Sequence, residues 1–468
     1  MPIVSVAQMR EWEKMTWGTG QTEAAVIHRV GQGLAQRVLA LTHPNDLVLL
    51  LAGKGHNGDD VRAVQPHLTG RRIDLVEVTD PAKAYDQLEV CLGKDPALVV
   101  DGLFGIGLNR PLDKEWIRFI QRLNQSGCRV MAVDIPSGLD AETGRNHGVA
   151  IEAAITVTIG APKIGLLNDT AWASTGRMEI LSDVGLTTCP FKQDLNWSVP
   201  EDFTGFPSAR RVGTHKGTYG HLAIVAGSRG YHGAAVLAAR GAQRAQPGLI
   251  TLHTPEAVYP VVASHLQAVM VAPWRADTKL PGPWTAILMG PGLAASDLPD
   301  QMKLQARLLW RDSALPLIVD ASALDWLPLD ITPRNAIRVL TPHPGEAARL
   351  MRTTTEKVQS NRVAAVRDIS RRYANAWVVL KGHQTVIGRM EGEVFVNSSG
   401  NPHMAQGGSG DVLSGFLAGL LAQPALQNDV LTTLRYAVWQ HGAAADRLQL
   451  KQPNWIVEDL LREIGLPT

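Results

Sequence analysis

Residues 401–423 read NPHMAQGGSGDVLSGFLAGLLAQ. A run of small residues, Gly407 to Gly410, leads into one carboxylate, Asp411, and then into a strongly apolar helical pattern. Glycines at the start of a helix leave backbone N–H groups open, and together with the helix dipole they favour an anion. A negative side chain at that mouth needs an explanation. One reading makes it the N-cap of helix 411–422, where Asp or Ser is preferred and contributes about 1 kcal/mol, with Ser409 as the alternative cap. The other makes it a general base. In phosphoryl transfer the protein mainly positions the nucleophile and stabilises charge on the moving group. The N–H groups of 407–411 can face that charge, while Asp411 takes the proton of an attacking hydroxyl. The segment alone leaves both readings open.

Working outward, the segment is the last of a series. HLAIVAGS (221–228), LITLHTP (249–255), AILMGPG (286–292), PLIVDASAL (316–324), AIRVLTPHPGE (336–346) and AWVVLKGHQTVIG (376–388) read as strands running into loops, with helical patterns at 233–246, 356–374 and 428–448. The first half repeats the scheme. DLVLLLAG (46–53), RIDLVEV (72–78), ALVVDGLFG (97–105), RVMAVDIPSG (129–138) and AAITVTIGAPK (153–163) end at Gly or Pro turns, and 113–126 has helical spacing. Continuous apolarity suits strands buried on both faces of a parallel sheet. The alternation with helices is the doubly wound α/β pattern. Around 188–209 periodicity gives way to Pro, polar and aromatic residues, which predicts a linker between domains 1–187 and 210–468.

With 468 residues, two domains are expected. A net charge of +1 gives no reason to expect a nucleic-acid or anionic-membrane partner. No apolar run approaches the roughly 18 residues of a membrane span. The N-terminal MPIVSVAQMREWEKM carries charges where a signal peptide has its apolar centre. Cys91, Cys128 and Cys189 show no metal spacing. A reduced, cytoplasmic protein is the expectation.

In such sheets ligands bind beyond the carboxyl ends of the strands. Lys381, in KGHQT, is either a solvated strand-end lysine or a phosphate ligand. His343 and Glu346 lie in TPHPGE, where Pro342 and Pro344 stiffen the loop and make His343 a candidate substrate contact. Gly290 and Gly292 either form a tight turn or let the backbone approach a ligand.

Taken as an ordered set, HKGTYGHLAIVAGS, GAAVLAARGAQRAQPGLITLHTP, MGPGL, PLIVDASAL, TPHPGEAARLM, LKGHQTVI and GNPHMAQGGSGDVLSGFLAGLLAQ resemble the ADP- or ATP-dependent NAD(P)H-hydrate dehydratases over roughly 210–468. The resemblance implies a ribokinase-like fold. It implies removal of water from hydrated NADH or NADPH, hydroxylated at C6 of the nicotinamide ring, with a Mg²⁺-bound adenine nucleotide as phosphoryl donor. ADP is the expected donor and ATP the alternative. Asp411 would activate the hydroxyl, with Gly410 beside the nucleotide. Lys381, Gly382, His383, Gln384 and Thr385 would bind the nucleotide, and Ala235, Gly292 and His343 the hydrate.

In the first half, GKGHNGDDV (53–61), DGLFGIGLNRPL (101–112), DIPSGLDAETG (134–144) and GAPKIGLL (160–167) resemble, as a set, the Rossmann-like NAD(P)H-hydrate epimerase domain, often fused to the dehydratase. That resemblance implies exchange of R and S hydrates. It places the hydrate on His56, Asn57, Gly58, Asp59 and Asp60, on the loop Gly105, Ile106, Gly107, Leu108, Asn109, Arg110 and Pro111, and on Asp134. Potassium would lie on Asn57, Asp101 and Ser137. Asp134 and Lys163 are the acid/base candidates; the plain alternatives are a turn carboxylate and a solvated lysine.

The chain departs from the family here. The usual G-x-G-N-N-G-G-D-G loop has His56 for the first Asn, and Asp59 and Val61 for two glycines. If either glycine needed positive φ, the replacement would strain the loop, most for β-branched Val61; Asp59 would also repel a pyrophosphate. The L-M-E-x-A-G segment reads Val26-Ile27-His28-Arg29-Val30-Gly31, and G-T-G reads Gly105-Ile106-Gly107. The N-terminal half is therefore either an epimerase or a domain kept for folding, assembly or ligand binding. For the C-terminal half the rivals are a hydroxymethylpyrimidine- or hydroxyethylthiazole-type kinase and a non-enzymatic nucleotide-binding scaffold. A homo-oligomer is expected from the resemblance.

Overall fold

The computed structural model describes residues 1–275, 283–329, 332–333 and 336–466. The chain forms two compact units, Met1–Asp194 and Leu195–Thr468.

In the first unit β1 (Leu47–Ala52), β2 (Arg72–Glu77), β3 (Leu98–Gly102), β4 (Val130–Val133), β5 (Ile155–Ile159) and β6 (Arg177–Leu181) form a parallel sheet in the order 2-1-3-4-5-6. Successive residues of β1 go to opposite faces. Val48, Leu50 and Ala52 join one apolar layer, and Leu49 and Leu51 the other. That two-sided burial is why the strand reads as an unbroken apolar run. The chain leaves β1 for β2 on one side and returns to β3 on the other, so the strand order reverses between β1 and β3. A crevice opens at such a point, beyond the carboxyl ends of the strands.

The second unit contains β7 (Leu195–Trp197), β8 (His221–Val225), β9 (Leu249–Pro255), β10 (Met270–Trp274), β11 (Ala286–Met289), β12 (Leu317–Val319), β13 (Arg338–Leu340), β14 (Trp377–Leu380), β15 (Val386–Gly388) and β16 (Val394–Val396). Among the described residues they form one sheet, ordered 10-9-8-11-12-13-14-15-16-7. Strands from β10 to β14 are parallel, and β15 runs antiparallel to β14 and β16. Leu222 and Ile224 face one core layer, Ala223 and Val225 the other. Here the reversal lies between β8 and β11.

The structure differs from the sequence expectations at several places. The aperiodic stretch read as a linker contains β7, paired in parallel with β16. KGHQT is not a loop after a single strand but the connection of a hairpin between β14 and β15. The helical pattern 356–374 is two helices, Thr355–Ser360 and Arg362–Arg372, divided at Asn361, whose side chain accepts from Ala364 N at 3.0 Å and caps the second. No helix among the described residues is long and apolar enough to cross a membrane.

Candidate active sites

Helix Ser409–Leu421 packs on helix His232–Arg244 at a separation only glycine permits. A Cβ on Gly415 would stand 1.9 Å from the carbonyl oxygen of Ala238. The helix begins after Gly408, which takes the left-handed conformation at φ 95° and supplies no side-chain cap. Neither Asp411 nor Ser409 is therefore the cap. Asp411 lies in the first turn, third in the helix, where its carboxylate leaves the backbone donors open. The N–H groups of Gly410 and Asp411 have no protein acceptor among the described residues.

Around this turn the sheet delivers charge. Asp320 directly follows β12, Glu346 lies in helix Pro344–Met351 after β13, and Lys381 follows β14. Lys381 Nζ donates to Asp320 Oδ1 at 2.7 Å and lies 3.9 Å from Glu346 Oε2. The same ammonium is 3.5 Å from where a Gly410 Cβ would be. Burial pulls Lys381 down, but Asp320, Glu346 and Asp411 outweigh it and hold the ammonium above the usual lysine value. Asp411 is pushed up to about 7, first by burial and then by Asp320 and Glu346, with Lys381 opposing. A half-buried carboxyl poised near neutrality beside open N–H donors and a lysine suits proton removal from a hydroxyl that is receiving a phosphoryl group.

The other expected residues are placed unevenly. Gly382 (φ 124°) and Gln384 (φ 51°) shape the hairpin turn, and His383 is exposed there. Gln384 and Thr385 turn inward, with Thr385 Oγ1 donating to Gly382 O at 2.9 Å. Beneath them the buried Arg362 guanidinium donates to Leu380 O at 2.9 Å and Lys381 O at 3.2 Å, fixing the strand end. His343 caps its helix: Nδ1 accepts from Gly345 N at 3.1 Å, and Nε2 lies 3.6 Å from Glu346 Oε1. Gly292 (φ 66°) abuts Tyr231 O, and a Cβ on Gly290 would stand 1.7 Å from Asp320 O. Ala235 has no exposed surface; Tyr231, His232 and Gly233, at the start of its helix, do. Sequence reasoning assigned no role to Asp320, whose only signal is its place after a strand, nor to His441. That imidazole is 3.4 Å from Ser409 Oγ, and burial lowers it to about 4.

In the first unit a cavity of about 900 Å³ opens at the β1/β3 reversal. It is lined by His56, Asn57 and Asp60, by 103–113, and by Asp134 and Lys163. Gly58 and Asp59 are not on its wall. Gly58 faces Gly53, where a Cβ would stand 2.0 Å from the carbonyl oxygen, and Asp59 pairs with Arg62 at 2.8 Å. The segment expected to be a glycine loop is helix His56–Val64, so Asp59 and Val61 need no positive φ and the anticipated strain does not arise. Val61 is buried against Gly102. His28 is exposed, its ring edge-on to His67. The wall also includes Met9, Glu13 and Trp17, spaced by four along helix Val6–Trp17, a periodicity that sequence reasoning did not connect to this site.

Asp134 has φ 62°, strained for a residue with a side chain. Its Oδ1 accepts from Ile159 N at 3.1 Å, from Thr158 Oγ1 at 3.2 Å and from the Lys163 ammonium. Lys163 is buried and also donates to Ile159 O at 2.7 Å and Thr158 Oγ1 at 3.2 Å, so all three of its N–H bonds are engaged. Asp101 is fully buried. Its carboxylate accepts from Ser137 Oγ at 2.6 Å, Ser137 N at 2.8 Å and Leu103 N at 3.2 Å, and no cation among the described residues pairs with it. Burial raises it to about 6, against the pull of those hydrogen bonds. Asn57 donates to Phe104 O at 2.7 Å and Val133 O at 3.0 Å, joining the same two loops.

Residues 222–464 match the family model described as NAD(P)H-hydrate dehydratase, and residues 72–165 match that of the YjeF-related protein N-terminus. Curated relatives include the bifunctional NAD(P)H-hydrate repair enzyme Nnr of Gloeobacter violaceus, 35% identical over 99% of this chain and 97% of its own. The protein of the same description from Escherichia coli is 35% identical over 75% of this chain and 67% of its own. Among solved structures, the ADP/ATP-dependent NAD(P)H-hydrate dehydratase of Bacillus subtilis, co-crystallised with ATP/Mg²⁺, is 29% identical with a TM-score of 0.51. It covers 58% of this chain and 98% of that one. A ribokinase-like protein of Enterococcus faecalis, 23% identical over 59% of this chain and 95% of that one, with a TM-score of 0.50, shares the fold of the second unit.

Proposed function

Since the chain belongs to the bifunctional NAD(P)H-hydrate repair enzymes, we propose that its second unit dehydrates the S-hydrate at Asp411 with ADP or ATP as donor, and that its first unit exchanges R and S hydrates. The observation that carries the first part is the convergence of Asp411, the open N–H of Gly410 and the Lys381 ammonium at one helix N-terminus. Hydroxide leaves a saturated carbon poorly and phosphate leaves well. Asp411 takes the proton of the C6 hydroxyl as its oxygen attacks the terminal phosphoryl group. The Gly410 and Asp411 N–H groups and Lys381 receive the charge on that group. The ring-nitrogen lone pair then expels phosphate to leave an N1=C6 iminium cation, and loss of a C5 proton to the departing phosphate or solvent restores the dihydropyridine.

Three carboxylates surround one ammonium, and that surplus of negative charge accommodates a divalent cation. Asp320 and Glu346 are the side chains that would hold Mg²⁺, which when bound supplies charge neutralisation on the nucleotide phosphates. The test is direct. The full chain is given S-hydrate, Mg²⁺ and ADP or ATP, and the absorbance of regenerated NADH is followed. Folded protein inactive with both nucleotides would sink this reading, and a stable phosphorylated product would favour a small-molecule kinase.

For the first unit, the cavity keeps Asp134 held by Lys163, and the departures at 59 and 61 lie off its wall or in its supporting helix. Lys163, with no N–H to spare, is better read as the strut that orients Asp134 than as a proton donor. The unpaired buried Asp101 carboxylate suits potassium, with Ser137 and Asn57 completing an oxygen-rich set between two loops. Pure R-hydrate supplied with nucleotide at a pH of slow spontaneous inversion should be consumed faster than that inversion allows. Consumption at the uncatalysed rate would reduce the unit to a binding or assembly module.

A further inference from the structure

Epimerising C6 needs a proton donor and a proton acceptor, and every N–H bond of Lys163 is engaged by a protein acceptor. Asp60 stands on the cavity wall, 8% exposed, with no hydrogen-bond donor or cation among the described residues reaching its carboxyl. A buried carboxyl so placed is held in the neutral, proton-carrying form. Burial, then Asp134, Asp59, Glu13 and Glu23, push it well above the usual carboxylate value. Asp134 is held by partners that Asp60 lacks. Its Oδ1 is fixed by Lys163, Thr158 and Ile159 N, while its Oδ2 has no protein partner among the described residues and borders the cavity. One carboxyl without a donor and one anchored by an ammonium, both bordering a single cavity, is the arrangement expected of an acid/base pair. The two come from either side of β3: Asp60 from the helix after β1, and Asp134 from the end of β4.

Resting on the epimerase reading of this cavity, we propose that Asp60 and Asp134 invert C6 by removing its hydroxyl as water from one face and adding water to the other. Asp60 transfers its proton to the C6 hydroxyl. The C–O bond breaks with both electrons leaving on oxygen, and the ring-nitrogen lone pair forms the N1–C6 π bond of an iminium cation. A water on the opposite face attacks C6, the π electrons return to nitrogen, and the water's proton passes to Asp134. The pair then exchanges protons with solvent, or runs in the reverse sense on the other epimer. Glu13 stands half-buried on the same wall.

The chemistry makes a labelling prediction. The departing and entering waters occupy different faces, so each inversion brings one solvent oxygen to C6. Full-length protein is incubated with R-hydrate in H₂¹⁸O without nucleotide, which silences dehydration. Inversion is followed by chromatography and label by mass spectrometry, beside an enzyme-free control. One ¹⁸O per enzymatic inversion is expected. Asp60→Asn, checked by its thermal transition, should invert at least 100-fold more slowly, while Asp59→Asn stays at the wild-type rate. Inversion without label would overturn the water-exchange route. A folded Asp60→Asn protein at the wild-type rate would overturn the role of Asp60. No inversion above the control, with or without label, would sink the epimerase reading itself.

Discussion

The dehydration rate should fall as Asp411 takes up a proton. Its carboxyl lies near 7, so a base at this position is about half ionised at pH 7 and about one-tenth at pH 6. The free-enzyme parameter kcat/KM should therefore drop about tenfold from pH 8 to pH 6. The environment says which way variants move the midpoint. Asp320 raises Asp411 and Lys381 lowers it, so Asp320→Asn should shift the midpoint below 7 and Lys381→Met above it. Stability gives an independent check. The native carboxyl binds its proton more tightly than the unfolded one. This contribution is fully present below the unfolded value near 3.8 and is lost as pH rises through about 7. The rise corresponds to at most about 4 kcal/mol, and the helix N-terminus offsets part of it. Asp411→Asn should lose turnover by at least about 100-fold. Its thermal transition, relative to wild type, should climb between pH 4 and 7 and then level off. The assays are NADH absorbance at pH 6 to 8.5 and thermal unfolding over pH 4 to 8. A flat rate profile, or an active Asp411→Asn protein, would refute the general-base argument.

Gly415→Ala should destabilise the second unit by about 3 kcal/mol or more, because its Cβ would stand 1.9 Å from Ala238 O; a thermal transition unchanged from wild type would contradict that packing. Asp59→Gly, which restores the family glycine, should leave epimerisation unchanged, since Asp59 faces Arg62 and not the cavity. Measured inversion gaining severalfold would show that the acid does intrude. Exchanging K⁺ for Na⁺ should lower epimerisation in the wild type and have no effect on Asp101→Asn, and any K⁺ response should fade as pH drops through about 6, where Asp101 takes up a proton.

Much of the fold was legible because burial on both faces leaves a plain mark. The continuous runs at 46–53, 221–228 and 376–380 are strands for the reason that made them visible. The missed strands lacked that mark. β10 carries Pro273 and, among the described residues, pairs only with β9 at the sheet edge, where proline is tolerated. β7 is three residues inside a Pro- and aromatic-rich stretch, held by a partner, β16, about 200 positions away. Site residues divided in the same way. Asp411 and Lys381 stand in glycine-marked turns; Asp320 and Glu13 acquire their meaning only from neighbours the chain brings to them. The glycine replacements at 59 and 61 misled because they were weighed as loop positions. A helix of residues 56–64 accepts them without strain.

The two sites use one pairing in opposite ways. Each places a lysine against an aspartate beyond the carboxyl end of a strand. Lys163 has three acceptors for its three protons and is closed to any ligand. Among the described residues the Lys381 ammonium makes one hydrogen bond, to Asp320 at 2.7 Å, with Glu346 at 3.9 Å, and it lies 3.5 Å from where a Gly410 Cβ would be. A saturated lysine can only hold its partner in place, and Asp134 at φ 62° is a residue that needs holding. An unsaturated lysine beside open N–H groups can receive a phosphoryl group. The count of acceptors around each ammonium, more than the lysine itself, therefore separates the site proposed to transfer phosphate from the one proposed to move protons between carboxyls.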